Sequence, residues 1–235
     1  MKIGIMQPYF FPYIGYFSLI NEVDRFILLD EVQFIRHGWI ERNRILKPSG
    51  GWQYIRVPLQ KHSQKTKISE IRIEERSDWR RKLEAQLEHY KKAPYYEQVK
   101  ELVVQALEYR AGRIAELDLE CLRAVCKYLG IDTPIKIFSE MNLAIEPVHA
   151  SDEWALNICK CIPDVVEYWN PPGGSEFFDR AKYEKEGIRL IFQEMELEAY
   201  RQNREAFEPG LSMIDVMMFN SPDRIRTMMK SYRTF

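Results

Sequence analysis

The chain has 235 residues, 46% of them hydrophobic and 13% aromatic, enough apolar material to bury a sizeable core. Lys and Arg number 34 against 35 Asp and Glu, so the net charge of −1 excludes a global nucleic-acid coat or a polybasic membrane anchor, and any anion recognition must be local. No apolar run approaches the roughly 20 residues that cross a bilayer, and the start MKIGIMQPYF lacks the apolar core of a signal peptide; a cytoplasmic location without a membrane span is expected.

Lys2 to Met6 reads as a short buried strand stopped by Gln7-Pro8. The apolar run resumes after Gly15 as a short helix, Tyr16 to Asn21, and Phe26 to Leu29 is a second strand ending at Asp30-Glu31. Strand, loop, helix, strand is the order of a parallel unit whose ligand loops gather at the carboxyl ends of the strands. Trp52 to Val57 and Ile68 to Ile73 alternate polar with apolar residues and predict a strand pair around the basic loop LQKHSQKTK. Three helices are predicted between residues 78 and 129: Trp79 to Tyr90, Tyr95 to Arg110 and Arg113 to Leu129. In the last, Ile114, Leu117, Cys121, Leu122 and Val125 keep the three-and-four spacing of a buried face, and Gly130 suits its C-terminal stop.

Ile135 to Phe138 and Arg189 to Phe192 are further strands, each following a Gly-Ile pair. Between them lie a helix opened by Ser151, a short strand near Val165 to Tyr168 and the loop NPPGGSEFF at 170–178; helices near Ser212 to Phe219 and Asp223 to Ser231 close the chain. The expected architecture is a single α/β domain over 1–235, with a parallel-sheet core, an additional helical layer and a largely helical subregion at about 78–130. Cys121, Cys126, Cys159 and Cys161 are expected as buried thiols, because the C-x-C at 159–161 has no matching Cys or His pair to complete a metal site.

Chemistry concentrates in five places. The loop QPYFFPYIGYF after the first strand carries aromatic residues that suit the wall of a flat or apolar ligand, and Gly15 at the helix start would let an anion approach backbone N–H groups. Between Arg36 and Lys67 eight cations face the single anion Glu41, which implies an anionic ligand. Arg42-Asn43-Arg44 offers guanidinium forks and Lys61-His62 mobile donors, better matched to a nucleotide or sugar phosphate than to duplex nucleic acid. Asp30 and Gln33 follow the second strand, where an α/β fold places ligand contacts, although a strand-end Asp is also a common turn or cap residue. Gly173-Gly174-Ser175 reads as a closing flap or a tight turn, and Ser212 with Asp215 as a capping pair. None of the four histidines has a nucleophile partner at a known spacing.

MQPYFFPYIGYFSLI at 6–20, LDEVQFIRHGWIERNRI at 29–45, GGSEFF at 173–178 and FEPGLSMIDVMMFN at 207–220 resemble the WbqC-like family of bacteria. The positions that carry the resemblance are Gln7, Pro8, Tyr9, Gly15, Tyr16, Asp30, Gln33, Trp39, Asn43, Arg44, Gly173, Gly174, Ser212, Asp215 and Asn220. The family occurs among genes for O-antigen and other surface polysaccharides, which implies a cytoplasmic step on an activated sugar or its lipid-linked precursor. More distantly, Tyr13, Ile14, Gly15 and Tyr16 resemble the H-x-G-H helix start of nucleotidylyl-transferase-like enzymes, with the glycine kept and both histidines absent.

The function these features imply is a transferase that acylates or aminoacylates a nucleotide-activated amino sugar. Arg36, Arg42, Arg44 and Lys61 would then meet the anionic substrate, the aromatic loop would stack a base or sugar, and Asp30 or His62 would act on the amine proton. An ATP-dependent adenylate-forming ligase, with ATP or another nucleotide and Mg²⁺ near Asp30, is an alternative. So is a non-catalytic sugar-nucleotide binding or assembly protein.

Overall fold

The computed structural model describes residues 1–235. Strand β1 (Lys2–Met6) leads through residues 7–13 to helix α1 (Ile14–Glu22) and strand β2 (Arg25–Leu28). The chain then leaves the sheet for a hairpin, β3 (Arg42–Leu46) and β4 (Trp52–Arg56), and for helices α2 (Trp79–Leu87), α3 (Tyr96–Glu108) and α4 (Ile114–Leu129). It returns as β5 (Ile135–Ile137), α5 (Glu153–Lys160), β6 (Glu167–Asn170), α6 (Arg180–Lys185) and β7 (Arg189–Met195), and closes with α7 (Met213–Phe219), α8 (Pro222–Met228) and β8 (Tyr232–Thr234).

Six strands form one sheet in the order β5-β2-β1-β6-β7-β8, parallel except for the last pair. In β1 and β2 alternate residues feed two cores: Phe26 and Leu28 enter a cluster of 52 buried residues with α1 and α4, whereas Ile3, Ile5 and Ile27 enter one of 14 residues under α5 and α6. Burial on both faces is why these strands read as short continuous apolar runs. Each fully buried Leu or Phe contributes roughly 1.5–3 kcal/mol, so the larger cluster dominates the stabilisation. The α4 spacing is observed as predicted, and Gly130 ends that helix in the left-handed region at φ 68°. No helix is long and apolar enough to cross a membrane.

The predicted pairing of 52–57 with 68–73 is corrected. Strand β4 pairs antiparallel with β3, placing Arg42 opposite Arg56, Arg44 opposite Tyr54 and Leu46 opposite Trp52. Gly50 and Gly51, at φ 103° and 66°, supply the turn between them, and residues 68–70 form a 3₁₀ turn instead. Strand β3 was hidden because Arg42-Asn43-Arg44 is polar; its register is set by Asn43, Ile45 and Leu46, all buried. Helix α6 and strand β8, of six and three residues, are too short for a periodicity to mark them in the sequence. All four cysteines are free thiols, and Cys161 alone of them is only half-buried.

Candidate functional site

Strand β1 sits in the middle of the sheet: the chain runs outward from it to β2 and β5, then crosses back to β6 and β7. The order of connections therefore reverses between β1 and β6, and the loops leaving their carboxyl ends part to leave a crevice. That crevice has a volume of about 430 Å³. Tyr9, Tyr13 and Tyr16 from the first loop and helix form one wall, Trp39, Asn43 and Arg44 from the hairpin side a second, and Pro171 to Gly173 after β6 a third.

The first loop divides its aromatic residues between two tasks. Phe10 and Phe11 are fully buried in the core, while the tyrosines face the crevice. Phe11 sits at φ 40°, a strained position for a residue with a Cβ. Its conformation is fixed by a clamp: Asn43 Nδ2 donates to the carbonyls of Phe10 and Phe11 at 3.0 Å each, Ser212 Oγ donates to Phe11 at 2.6 Å, and the Met213 amide donates to Pro12 at 2.8 Å. Burial raises the phenols of Tyr9, Tyr13 and Tyr16 above the ordinary tyrosine range, so they stay protonated and can donate hydrogen bonds; Tyr16 already donates to the Gln7 carbonyl at 2.8 Å.

Gly15 is a position of close approach. A Cβ there would lie 2.4 Å from the Tyr13 ring and 2.6 Å from Met195 Cγ. The glycine makes room for the Tyr13 phenol and is itself part of the crevice lining.

Arg44 is the one charged residue of the crevice lining. Its Nη2 donates to the Gly210 carbonyl at 3.1 Å, and its guanidinium carbon stands 5.4 Å from the Trp39 ring and 5.2 Å from the Trp52 ring. Its Nε is buried without a partner. A guanidinium held by two indole faces and one carbonyl, with no carboxylate in the lining, is oriented yet not neutralised.

The other residues singled out from the sequence lie elsewhere. Asp30 is buried at the end of β2, accepts from the amide and hydroxyl of Ser139 at 3.0 and 2.6 Å, and ties β2 to the turn at 138–140. Burial raises its pKa and the Ser139 bonds oppose that. His62 stands in the 57–67 loop, its Nδ1 2.8 Å from the Gln60 carbonyl and its ring edge-on to Phe34. Neither lines the crevice.

Arg42 donates to the carbonyls of His37 and Gly38 and stacks on Tyr54 at 4.2 Å. Gln33 and Arg36 bind backbone carbonyls of the same basic loop, at Gln64 and His62, and Lys61 is exposed. Gly173 lines the crevice, and Gly174, at φ 99°, opens the turn that contains Ser175. Ser212 caps α7 by accepting from the Ile214 amide at 3.2 Å. Asp215, fully buried, accepts from Tyr90 Oη and Tyr200 Oη at 2.6 Å each and from Gln202 Nε2 at 3.0 Å, and burial pushes its carboxyl up to about 6. Asn220 donates to the Val216 carbonyl at the end of α7. Gly210 and Leu197 also line the crevice and were not singled out, since their segment has no periodicity to mark it.

Strand order, helices on both faces and a crevice at the reversal point define a doubly wound α/β protein. Within that class, the chain belongs to the WbqC-like protein family, whose model matches residues 7–227. It is similar to the uncharacterized protein Rv1507c of Mycobacterium tuberculosis, with 31% identity over an alignment that covers 96% of this chain and 97% of the relative. No solved structure matches it.

Proposed function

We propose that the crevice binds a nucleotide-activated sugar and that the chain is a cytoplasmic transferase of bacterial surface-polysaccharide biosynthesis, acylating or aminoacylating an amino sugar. The observation that carries this reading is Arg44: its buried Nε lacks an acceptor, and no carboxylate lines the crevice to neutralise the guanidinium. A half-buried guanidinium with no ion-pair partner gains a charge-assisted hydrogen bond when its remaining Nη donors meet a phosphate oxygen. The tyrosine wall suits the sugar, since each ring presents an apolar face with a hydroxyl at its rim.

In the transfer the amine nitrogen bonds to the acyl carbon, the bond from that carbon to its leaving group breaks, and the amine proton departs with the released group. The lining holds no carboxylate, imidazole or lysine amine, so this chain's contribution is placement of the two reactants, with the Tyr9 and Tyr13 hydroxyls and the Asn43 amide at hand as polar contacts. The residues present do not fit Mg-ATP: no carboxylate lines the crevice to hold the metal. The same lack of an acid or base favours a second reading, a sugar-nucleotide binder without turnover. The two are separated by incubating the protein with an acyl-CoA and a UDP-amino sugar and following release of free CoA thiol. Release that depends on both reactants and on Arg44 supports the transferase; tight binding of the sugar nucleotide with no thiol release supports the binder.

A further inference from the structure

We propose that Trp52, which lies outside the crevice lining, is the stacking platform for the base of a nucleoside diphosphate whose phosphates rest on Arg44. This rests on the reading of the crevice as a sugar-nucleotide site and adds to it the place of the nucleoside. The hairpin register puts Arg42 and Arg56, Arg44 and Tyr54, and Leu46 and Trp52 in three successive rows on one face. Guanidinium groups on that face meet rings and no carboxylate. Arg44 stands over Trp39 and Trp52, and Arg42 and Arg56 stand 4.2 and 5.9 Å from the Tyr54 ring. By contrast Arg80, over Trp79, is also ion-paired with Glu75.

Arg44 marks the border of the crevice. Trp39 belongs to the lining; Trp52, against the same guanidinium and edge-on to Tyr54 at 4.9 Å, lies outside it and is 38% exposed beside an open turn where a Cβ on Gly50 or Gly51 would meet nothing within 4 Å. Crevice, guanidinium and exposed indole thus stand in the covalent order of a sugar nucleotide: sugar, diphosphate, base. An indole face takes any base, because stacking reads the π-system rather than hydrogen-bond edges. The site therefore selects for a nucleoside diphosphate as a class.

The test is calorimetric titration of the full chain with UDP, GDP and dTDP, and separately with N-acetylglucosamine 1-phosphate, for the wild type, Trp52→Ala and Trp52→Phe. Trp52→Ala also removes one of the two rings beside Arg44, so the sugar phosphate is expected to lose some affinity, but the nucleoside diphosphates are expected to lose about tenfold more than it does, with Trp52→Phe recovering most of both losses. Nucleoside diphosphate binding unchanged in Trp52→Ala, or an equal loss for both kinds of ligand, overturns the platform while the crevice reading stands. If the wild type binds neither kind of ligand, both readings fall.

Discussion

Asn43 donates its side-chain amide to the carbonyl oxygen of Phe11 at 3.0 Å, holding a phenylalanine at φ 40° from a strand of a different sheet. This bond, with its twin to Phe10, joins the hairpin to the loop after β1 and so fixes two walls of the crevice against each other. Asn43→Ala leaves two inward carbonyls without that donor and is expected to destabilise the fold by about 1–3 kcal/mol. Denaturant unfolding of the variant checks this. A change below a few tenths of a kcal/mol would mean that the loop holds its conformation without the clamp.

Asp30 is bound to Ser139 through both carboxylate oxygens and does not line the crevice. Asp30→Asn is therefore expected to lower thermal stability, by about 1–3 kcal/mol for the disturbed buried hydrogen bonds, while leaving the affinity for a sugar nucleotide within twofold of the wild type. A preserved melting temperature with lost binding would place Asp30 at the ligand instead.

Asp215 sets a pH dependence. Its folded-state carboxyl is raised from 3.8 to about 6, chiefly by burial, so the folded protein holds the proton more tightly than the unfolded chain does. Its contribution to stability is fully present below about pH 4 and is lost as pH rises through about 6, with a span of at most about 3 kcal/mol. Asp215→Asn removes the titration and keeps the shape. The variant is expected to gain on the wild type as unfolding measurements move from pH 4 to pH 7; a constant difference across that range would show that Asp215 does not titrate there.

Much of the sheet is legible in the chain because its strands are buried on both faces: Lys2 to Met6, Phe26 to Leu28 and Ile135 to Ile137 stand out as apolar runs between turn residues. Strand β3 does not, since the face it shares with Tyr54 and Trp52 carries Arg42 and Arg44, whose ring partners lie across the hairpin turn. The aromatic loop was conspicuous, but nothing local separates Phe10 and Phe11, which fill the core, from Tyr9 and Tyr13, which face the crevice. That division depends on the clamp from Asn43 and Ser212, residues 33 and 201 positions away. Asp30 shows the converse: a strand-end carboxylate looks the same in sequence whether it meets a ligand or, as here, a serine 109 residues later.

The most direct test of the crevice is isothermal titration of the wild type and Arg44→Gln with UDP-N-acetylglucosamine, GDP-mannose and dTDP-glucose. At least one of these is expected to bind the wild type, and Arg44→Gln to weaken it roughly 10- to 100-fold, the worth of a charge-assisted hydrogen bond from a half-buried guanidinium. Binding that survives in Arg44→Gln at wild-type strength, or a wild type that binds none of the three, would contradict the assignment of the crevice to a sugar nucleotide.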